Sequence, residues 1–172
     1  MCETLKTIHE RASSRSYKAD EVPEEILSKI IDAGIAAASG MNRQSPIIVA
    51  ITNKEIRDRL SRANAEVMGS DKDPFYGAPA VLVVLADKNV GTRVYDGSLV
   101  MGNMMLAAHA LGVGSCWIHR AKEVFETEEW SLFLKQLGIT GEYEGIGNLI
   151  VGYPENPPVP RERKEGRSFL VK

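Results

Sequence analysis

The chain reads as a single α+β domain in which helices pack on a mixed sheet. Three observations lead there. Apolar residues recur at helical spacing through two long segments, 22–38 and 92–111. Short β-branched runs at 46–53 and 80–86 separate the helical segments and are too brief to be helices themselves. Gly112-x-Gly114 lacks the third glycine of a dinucleotide fingerprint and is followed by a strand where a helix is needed, so a Rossmann or flavodoxin-like fold would lack its phosphate loop.

The elements follow in order. Glu3–Glu10 is a first helix. Val22–Ala38 is a second, with Pro23 and the acidic Glu24 and Glu25 at its first turn and Ile26, Leu27, Ile30, Ile31 and Ile35 on one face; Ser39-Gly40 ends it. Pro46–Asn53 is a buried strand and Lys54–Val67 a half-exposed helix. Gly69–Tyr76 is a polar and aromatic loop suited to covering a site. Ala80–Ala86 is the clearest buried strand. Thr92–Leu111 is a helix apolar almost all round, which places it centrally or in a subunit interface. Gly114–Ile118 is a short strand, Lys122–Phe125 about one turn, Glu128–Leu137 a helix and Asn148–Tyr153 a last strand. Glu155–Lys172 is rich in proline and charge, yet its closing Phe169-Leu170-Val171 argues against a merely solvated tail. The expectation is one domain over 1–172, with 155–172 an extended arm.

Composition narrows the function. A chain of 172 residues with 44% apolar and 26% charged residues can bury a core of its own. A formal charge of −2 and no aromatic-interleaved basic groove speak against nucleic-acid binding. Cys2 and Cys116 are too few for a disulfide framework or a metal cluster, so no metal is expected. The N-terminus has no basic-then-apolar leader, and the longest apolar stretch is broken by Gly102, Asn103 and His109. A cytoplasmic location without membrane contact is the expectation.

The richest chemical stretch is Arg11-Ala12-Ser13-Ser14-Arg15-Ser16-Tyr17, read as one short turn. Arg11 and Arg15 offer planar donor forks that match a phosphate, and Ser13, Ser14 and Ser16 add hydroxyls. The plainer reading is a helix C-terminus finished with basic charge. Asn42 and Gln44 carry amides that donate and accept, suited to a ring edge with alternating carbonyls and nitrogens, or simply to a turn before a strand.

Arg-x-Ser-x-Arg-x-Tyr resembles the phosphate-binding opening of the nitroreductase-like FMN oxidoreductases. Three further segments stand in that family's order. Ala36–Pro46 is similar to its Asn-x-Gln-Pro flavin loop, Leu111–Ile118 to its Gly-Leu-Gly-Ser-Cys-Trp-Ile strand entry, and Val151–Pro154 with the basic tail to its closing strand and arm. The resemblance implies a nitroreductase-like fold, with a mixed, mainly antiparallel sheet flanked by helices and a domain-exchanged C-terminal arm. It implies a homodimeric, cytoplasmic flavoprotein oxidoreductase with FMN at the subunit interface and NAD(P)H as co-substrate. Hydride would pass by a ping-pong route through the flavin to small electron-poor acceptors such as nitroaromatics or quinones. Carried over residue by residue, Arg11, Ala12, Ser13 and Arg15 hold the phosphate or reach the ring's carbonyl edge, with Arg163 and Lys164 helping. Asn42 and Gln44, from across the dimer, bind the ring, with Ser39 also on the cofactor, and Trp117, Ile118, His119 and Arg120 back its reactive centre through backbone N–H groups. His119-Arg120 stands where the family usually has Gly-Gly, and Arg120 near the ring would favour an anionic reduced flavin. No catalytic side chain is singled out.

Other candidates weigh less. Residues three apart on a strand point to opposite faces, so Cys116 and His119 make a poor nucleophile–base pair for a hydrolase. His9 and His109 lie on helical patterns and read as core or interface residues. Arg161, Arg163, Lys164 and Arg167 alternatively form a solvated basic tail. The alternative function is a flavin-binding sensor or storage module with little turnover.

Overall fold

The computed structural model describes residues 2–172. Its sheet has four strands in the order β1-β2-β4-β3: β1 (Pro46–Ile51), β2 (Ala80–Asp87), β3 (Gly114–Ile118) and β4 (Tyr143–Gly152). Every neighbouring pair is antiparallel, and the parallel component is one isolated bridge between Ser13 and Ser115. The α+β class and the mainly antiparallel sheet are therefore as the sequence indicates.

β2 is apolar from Ala80 to Ala86 because both its faces are covered there. Val81, Val83 and Leu85 point to one side, where they meet Leu60, Phe75, Cys116, Phe125 and Trp130. Ala80, Leu82, Val84 and Ala86 point to the other, where they meet Leu27, Ile30, Val100, Met101 and Met104. The first side carries α3 (Lys54–Met68), α5 (Ala121–Phe125) and α6 (Glu128–Gln136); the second carries α2 (Glu24–Ile35) and α4 (Arg93–Ala110). Three layers result.

α4 keeps Asp96, Gly97, Val100, Met101, Met104 and Ala108 buried while Val94, Tyr95 and Leu99 stay exposed. It is thus central on one face and uncovered on another. α1 (Glu3–Glu10) buries none of its residues, and Leu5 and Ile8 are exposed. The helix start at Val22 moves to Glu24, since Pro23 has extended φ/ψ and forms the N-cap. His9 is exposed and not in the core.

The last strand begins at Tyr143, five residues before Asn148. Gly145 and Gly147 disguise its first half in the sequence, and both are present for close approach. Leu85 pairs with Gly145 while Val84 pairs with Gly147, so Ile146 is the extra residue of a β-bulge. A Cβ on Gly145 would collide with the backbone of Ala121 and Lys122, and one on Gly147 with the Trp117 indole. These two glycines seat α5 and Trp117, which bracket residues 117–120. Because the obstacle at Gly145 is backbone and cannot swing aside, Gly145→Ala should destabilise the fold by about 3 kcal/mol. Denaturant unfolding checks this, with a normal midpoint as the contrary result.

Candidate active site

Arg11–Tyr17 is extended, not a turn. Ser14 N–H donates to Ser115 O at 3.0 Å, Lys18 N–H to Tyr153 O at 2.9 Å and Glu155 N–H to Ser16 O at 3.3 Å. Tyr17 forms an antiparallel bridge with Pro154. The segment is laced between the free edge of β3 and the chain leaving β4, and these nonlocal partners replace the local bond of a turn. Burial, chiefly, together with nearby Cys116, pushes the Tyr17 phenol well above its ordinary range. It stays neutral and donates to Ser14 O at 2.9 Å, fixing the middle of the segment.

Alternation along extended backbone sets Arg11, Ser13 and Arg15 against Ser14, whose side chain is buried. Arg11 caps α1, its N–H donating to Thr7 O, and its Nη1 is buried without a hydrogen-bond partner. Arg11 and Ala12 line a cavity of about 200 Å³ with His109, Gly112–Ser115 and Pro154. Arg15, exposed, lines a second cavity of about 360 Å³ with Met68, Tyr76 and Cys116–Arg120. Consecutive residues Ser115 and Cys116 join the two walls.

The 117–120 segment forms the floor of the second cavity. The ladder between β3 and β4 ends at Ile118–Asn148, so the N–H groups of His119 and Arg120 have no hydrogen-bond acceptor among the described residues. Arg120 has φ +80°, a left-handed conformation that favours glycine. The strain explains why Gly suits this place and why His119-Arg120 needs support from Gly145 beneath α5. The Arg120 guanidinium pairs with Glu123 at 2.7 Å, which draws its charge toward α5. Cys116 is buried, and no hydrogen bond joins it to His119 although both line the cavity. The hydrolase arrangement is not assembled.

Ser39, Asn42 and Gln44 lie elsewhere, in the 39–44 loop between α2 and β1. Met41, Asn42 and Gln44 all have positive φ, at +54°, +53° and +49°. Gln44 Nε2 donates to Asn42 Oδ1 at 3.0 Å, and Gln44 N–H to Ser39 Oγ at 3.0 Å. Asp96, buried, accepts from Gly40 N–H at 2.9 Å and from Thr92 Oγ1 at 2.8 Å, fastening the loop to α4. Ser39 and Gln44 open on a third cavity of about 280 Å³ with Ile35, Pro46, Ile48 and Val100. Arg163 and Lys164 are exposed on the arm. One chain therefore brings Arg11, Ala12, Ser13, Arg15 and 117–120 together, but not Ser39, Asn42, Gln44, Arg163 or Lys164.

Tyr76 ends the Gly69–Tyr76 loop that the sequence marks as suited to covering a site, and it does line the second cavity. Sequence reasoning missed Asp96, Met68 and the placement of His109 beside Arg11. It also missed the Asp73 cluster that holds the 69–77 loop. Asp73 accepts from Ser61 Oγ, from Arg57 Nη2 at 2.8 Å and from the N–H groups of Phe75 and Gly77, each at 2.8 Å. Burial pushes the Asp73 carboxyl up, but the hydrogen bonds from Ser61, Arg57, Gly77 and Phe75 together outweigh it and hold it below the ordinary carboxylate range. Among the described residues no metal-binding group of side chains exists, and no helix is long and apolar enough to cross a membrane.

Residues 8–153 match the model of the Nitroreductase family, and the chain belongs to that family. A nitroreductase with bound FMN from Bacteroides fragilis is similar over 100% of both chains, with a TM-score of 0.89 at 27% identity. Another with bound FMN, from Desulfitobacterium hafniense, gives 0.89 at 28%, again covering 100% of both. An NADPH-flavin oxidoreductase of Vibrio harveyi is 26% identical over 178 residues, spanning 95% of this chain and 70% of that one.

Because the folded Asp73 carboxyl is depressed, its stabilisation is complete above the unfolded value of about 3.9 and fades as pH falls through the lower folded value. Thermal melts of wild type and Asp73→Asn should differ by a constant margin from pH 7 to about 5.5, and the gap should close below pH ~4. A gap unchanged down to pH 3 would contradict the assignment.

Proposed function

We propose that the protein is an FMN-dependent NAD(P)H oxidoreductase that works as a homodimer. The observation that carries the reading is the pairing of a buried, unpartnered Arg11 Nη1 with the unbonded N–H groups of His119 and Arg120 at adjoining cavities. A buried guanidinium nitrogen without an acceptor suits a phosphate, and exposed backbone donors above a strand end suit a ring nitrogen. The donor set fits FMN, and the FMN-bound relatives support the same choice.

FMN, when bound, supplies the hydride chemistry between a nicotinamide and an acceptor. The chain's own work is binding and orientation. Arg11, Ala12 and Ser13 hold the phosphate, Arg15 faces the ring's carbonyl edge, and residues 117–120 back the ring. The Arg120–Glu123 ion pair tempers the positive charge there. We assign no catalytic side chain, and protons come from solvent at a mouth lined by the exposed His119, Arg120 and Tyr76. We read the order as double displacement, with NADH or NADPH and an acceptor entering in turn at the one face that 117–120 back. The acceptors we expect are small and electron-poor, nitroaromatics or quinones, taken up at the open cavity beside Arg15, Tyr76 and 117–120.

A second copy completes the site. Ser39, Asn42 and Gln44 stand apart from Arg15 within one chain, while α1 and α4 leave Leu5, Ile8, Val94, Tyr95 and Leu99 exposed. β1 is an edge strand, and a groove of about 720 Å³ beside it is lined by Val22, Leu27, Ala50 and Thr52. The arm ends in Phe169, Leu170 and Val171, exposed at 82–92%. We place the arm of one copy across this edge of the other, which also carries Arg163 and Lys164 toward the partner's phosphate.

Protein reconstituted with FMN should be yellow and should oxidise NADH or NADPH when a nitroaromatic is present. Absence of flavin absorbance after reconstitution overturns the reading, and bound flavin that NADPH leaves oxidised points to a binding module. Truncation after Pro160 should convert a sedimenting dimer to monomer and weaken FMN binding, and a truncated dimer would remove the exchanged arm.

A further inference from the structure

Tyr76 sits where its own backbone preferences do not put it. Tyr76 and Gly77 are both left-handed, at φ +52° and +73°. Such a pair favours asparagine, aspartate or glycine at its first position, and tyrosine gains nothing from the conformation. A residue held against its preference persists only where its surroundings over-determine it.

The over-determination is on both flanks. Asp73 takes the N–H groups of Phe75 and Gly77, the residues on either side of Tyr76, each at 2.8 Å. Arg57, on α3, ties Asp73 at 2.8 Å and donates from Nε to Ala78 O at 3.0 Å. Its guanidinium stands 5.5 Å from the centroid of the fully buried Phe75 ring. Phe75 anchors the loop, Asp73 sets its curvature, and Tyr76 is left facing outward, 42% exposed, on the cavity that also holds Arg15, Met68 and Cys116–Arg120. The loop thus delivers one aromatic side chain to the wall of one cavity.

We propose that Tyr76 is a ring-contact residue of this cavity and that Asp73 is the positioning residue that keeps it there. The inference rests on the FMN reading, since the occupant of the cavity is taken to be the flat isoalloxazine. An aromatic wall matches such a ring because offset or edge contacts between π systems add to the area buried. The phenol hydroxyl is not needed for that contact, so the ring and not the oxygen carries the effect.

The test compares wild type, Tyr76→Phe, Tyr76→Asn, Asp73→Asn and the double variant, each stripped of flavin and titrated with FMN by equilibrium dialysis. Asn accepts the left-handed backbone, so Tyr76→Asn removes the ring without straining the turn. The expected result is unchanged affinity for Tyr76→Phe and about tenfold weaker binding for Tyr76→Asn, with Asp73→Asn weaker in the same direction. The double variant should be no weaker than the poorer single, because both act on one contact. Independently of activity, FMN should slow nitration of wild-type Tyr76 by tetranitromethane at least fivefold, read by peptide mass spectrometry. Failure of wild type to bind FMN overturns the flavin reading and this inference together. Normal FMN binding with equal affinity for Tyr76→Asn, or with Tyr76 nitrated equally with and without FMN, overturns this inference alone.

Discussion

The site depends on one backbone arrangement, the lacing of residues 13–18 between β3 and the chain leaving β4. Three hydrogen bonds, Ser14 N–H to Ser115 O, Lys18 N–H to Tyr153 O and Glu155 N–H to Ser16 O, hold the segment straight at the sheet's edge. Each such bond contributes only about 1 kcal/mol net, but leaving the buried Ser14 and Ser115 groups unpaired would cost more, which sets the register. Register decides which side chains face which way. With Ser14 turned inward, Arg11 and Ala12 line one of the two cavities on either side of the Ser115–Cys116 junction and Arg15 lines the other.

The sheet supplies the rigidity behind that edge. β2 and β4 are covered on both faces, and the bulge at Ile146 bends β4 where it meets α5 and Trp117. Residues 117–120 then leave the sheet with their N–H groups unbonded and Arg120 in a left-handed turn. Left-handed non-glycine residues stand at Arg120 and Tyr76 on the candidate site, and at Met41, Asn42 and Gln44 in the separate 39–44 loop. Non-glycine residues held at positive φ cost on the order of 1–3 kcal/mol each; the buried Asp96 fastens the 39–44 loop and the Asp73–Arg57 cluster fastens the loop of Tyr76. Strain of this kind gathers where positions of backbone and side chain matter to a ligand.

Much of this was legible in the sequence. Helical spacing located α4 to within a residue at each end, and the unbroken Ala80–Ala86 run marked β2, because burial on both faces leaves no polar alternation to confuse. Four short motifs in order pointed to the family. The illegible parts share a nonlocal cause. Arg11–Tyr17 looks like a polar turn because its partners lie about a hundred or more residues away, at Ser115 and Tyr153. The first half of β4 was hidden by Gly145 and Gly147, whose role is to make room for α5 and an indole. The polar and aromatic Gly69–Tyr76 loop was legible as a site cover, but the roles of Asp73 and Tyr76 within it were not, because its geometry is set by Arg57 on another element. The separation of Asn42 and Gln44 from Arg15 within one chain agrees with the resemblance, which puts them across the dimer.

The central claim is that Arg11 and its neighbours grip a phosphate, and riboflavin, which has the same ring without that phosphate, tests it most directly. Affinities of wild type and Arg11→Met for FMN and riboflavin form a closed cycle. Two charge-assisted hydrogen bonds at about 1.5 kcal/mol each predict that wild type prefers FMN by at least about a hundredfold. In Arg11→Met that preference should shrink at least tenfold while riboflavin binds as before. Equal affinity of wild type for FMN and riboflavin, or an unaltered preference in Arg11→Met, would contradict the account.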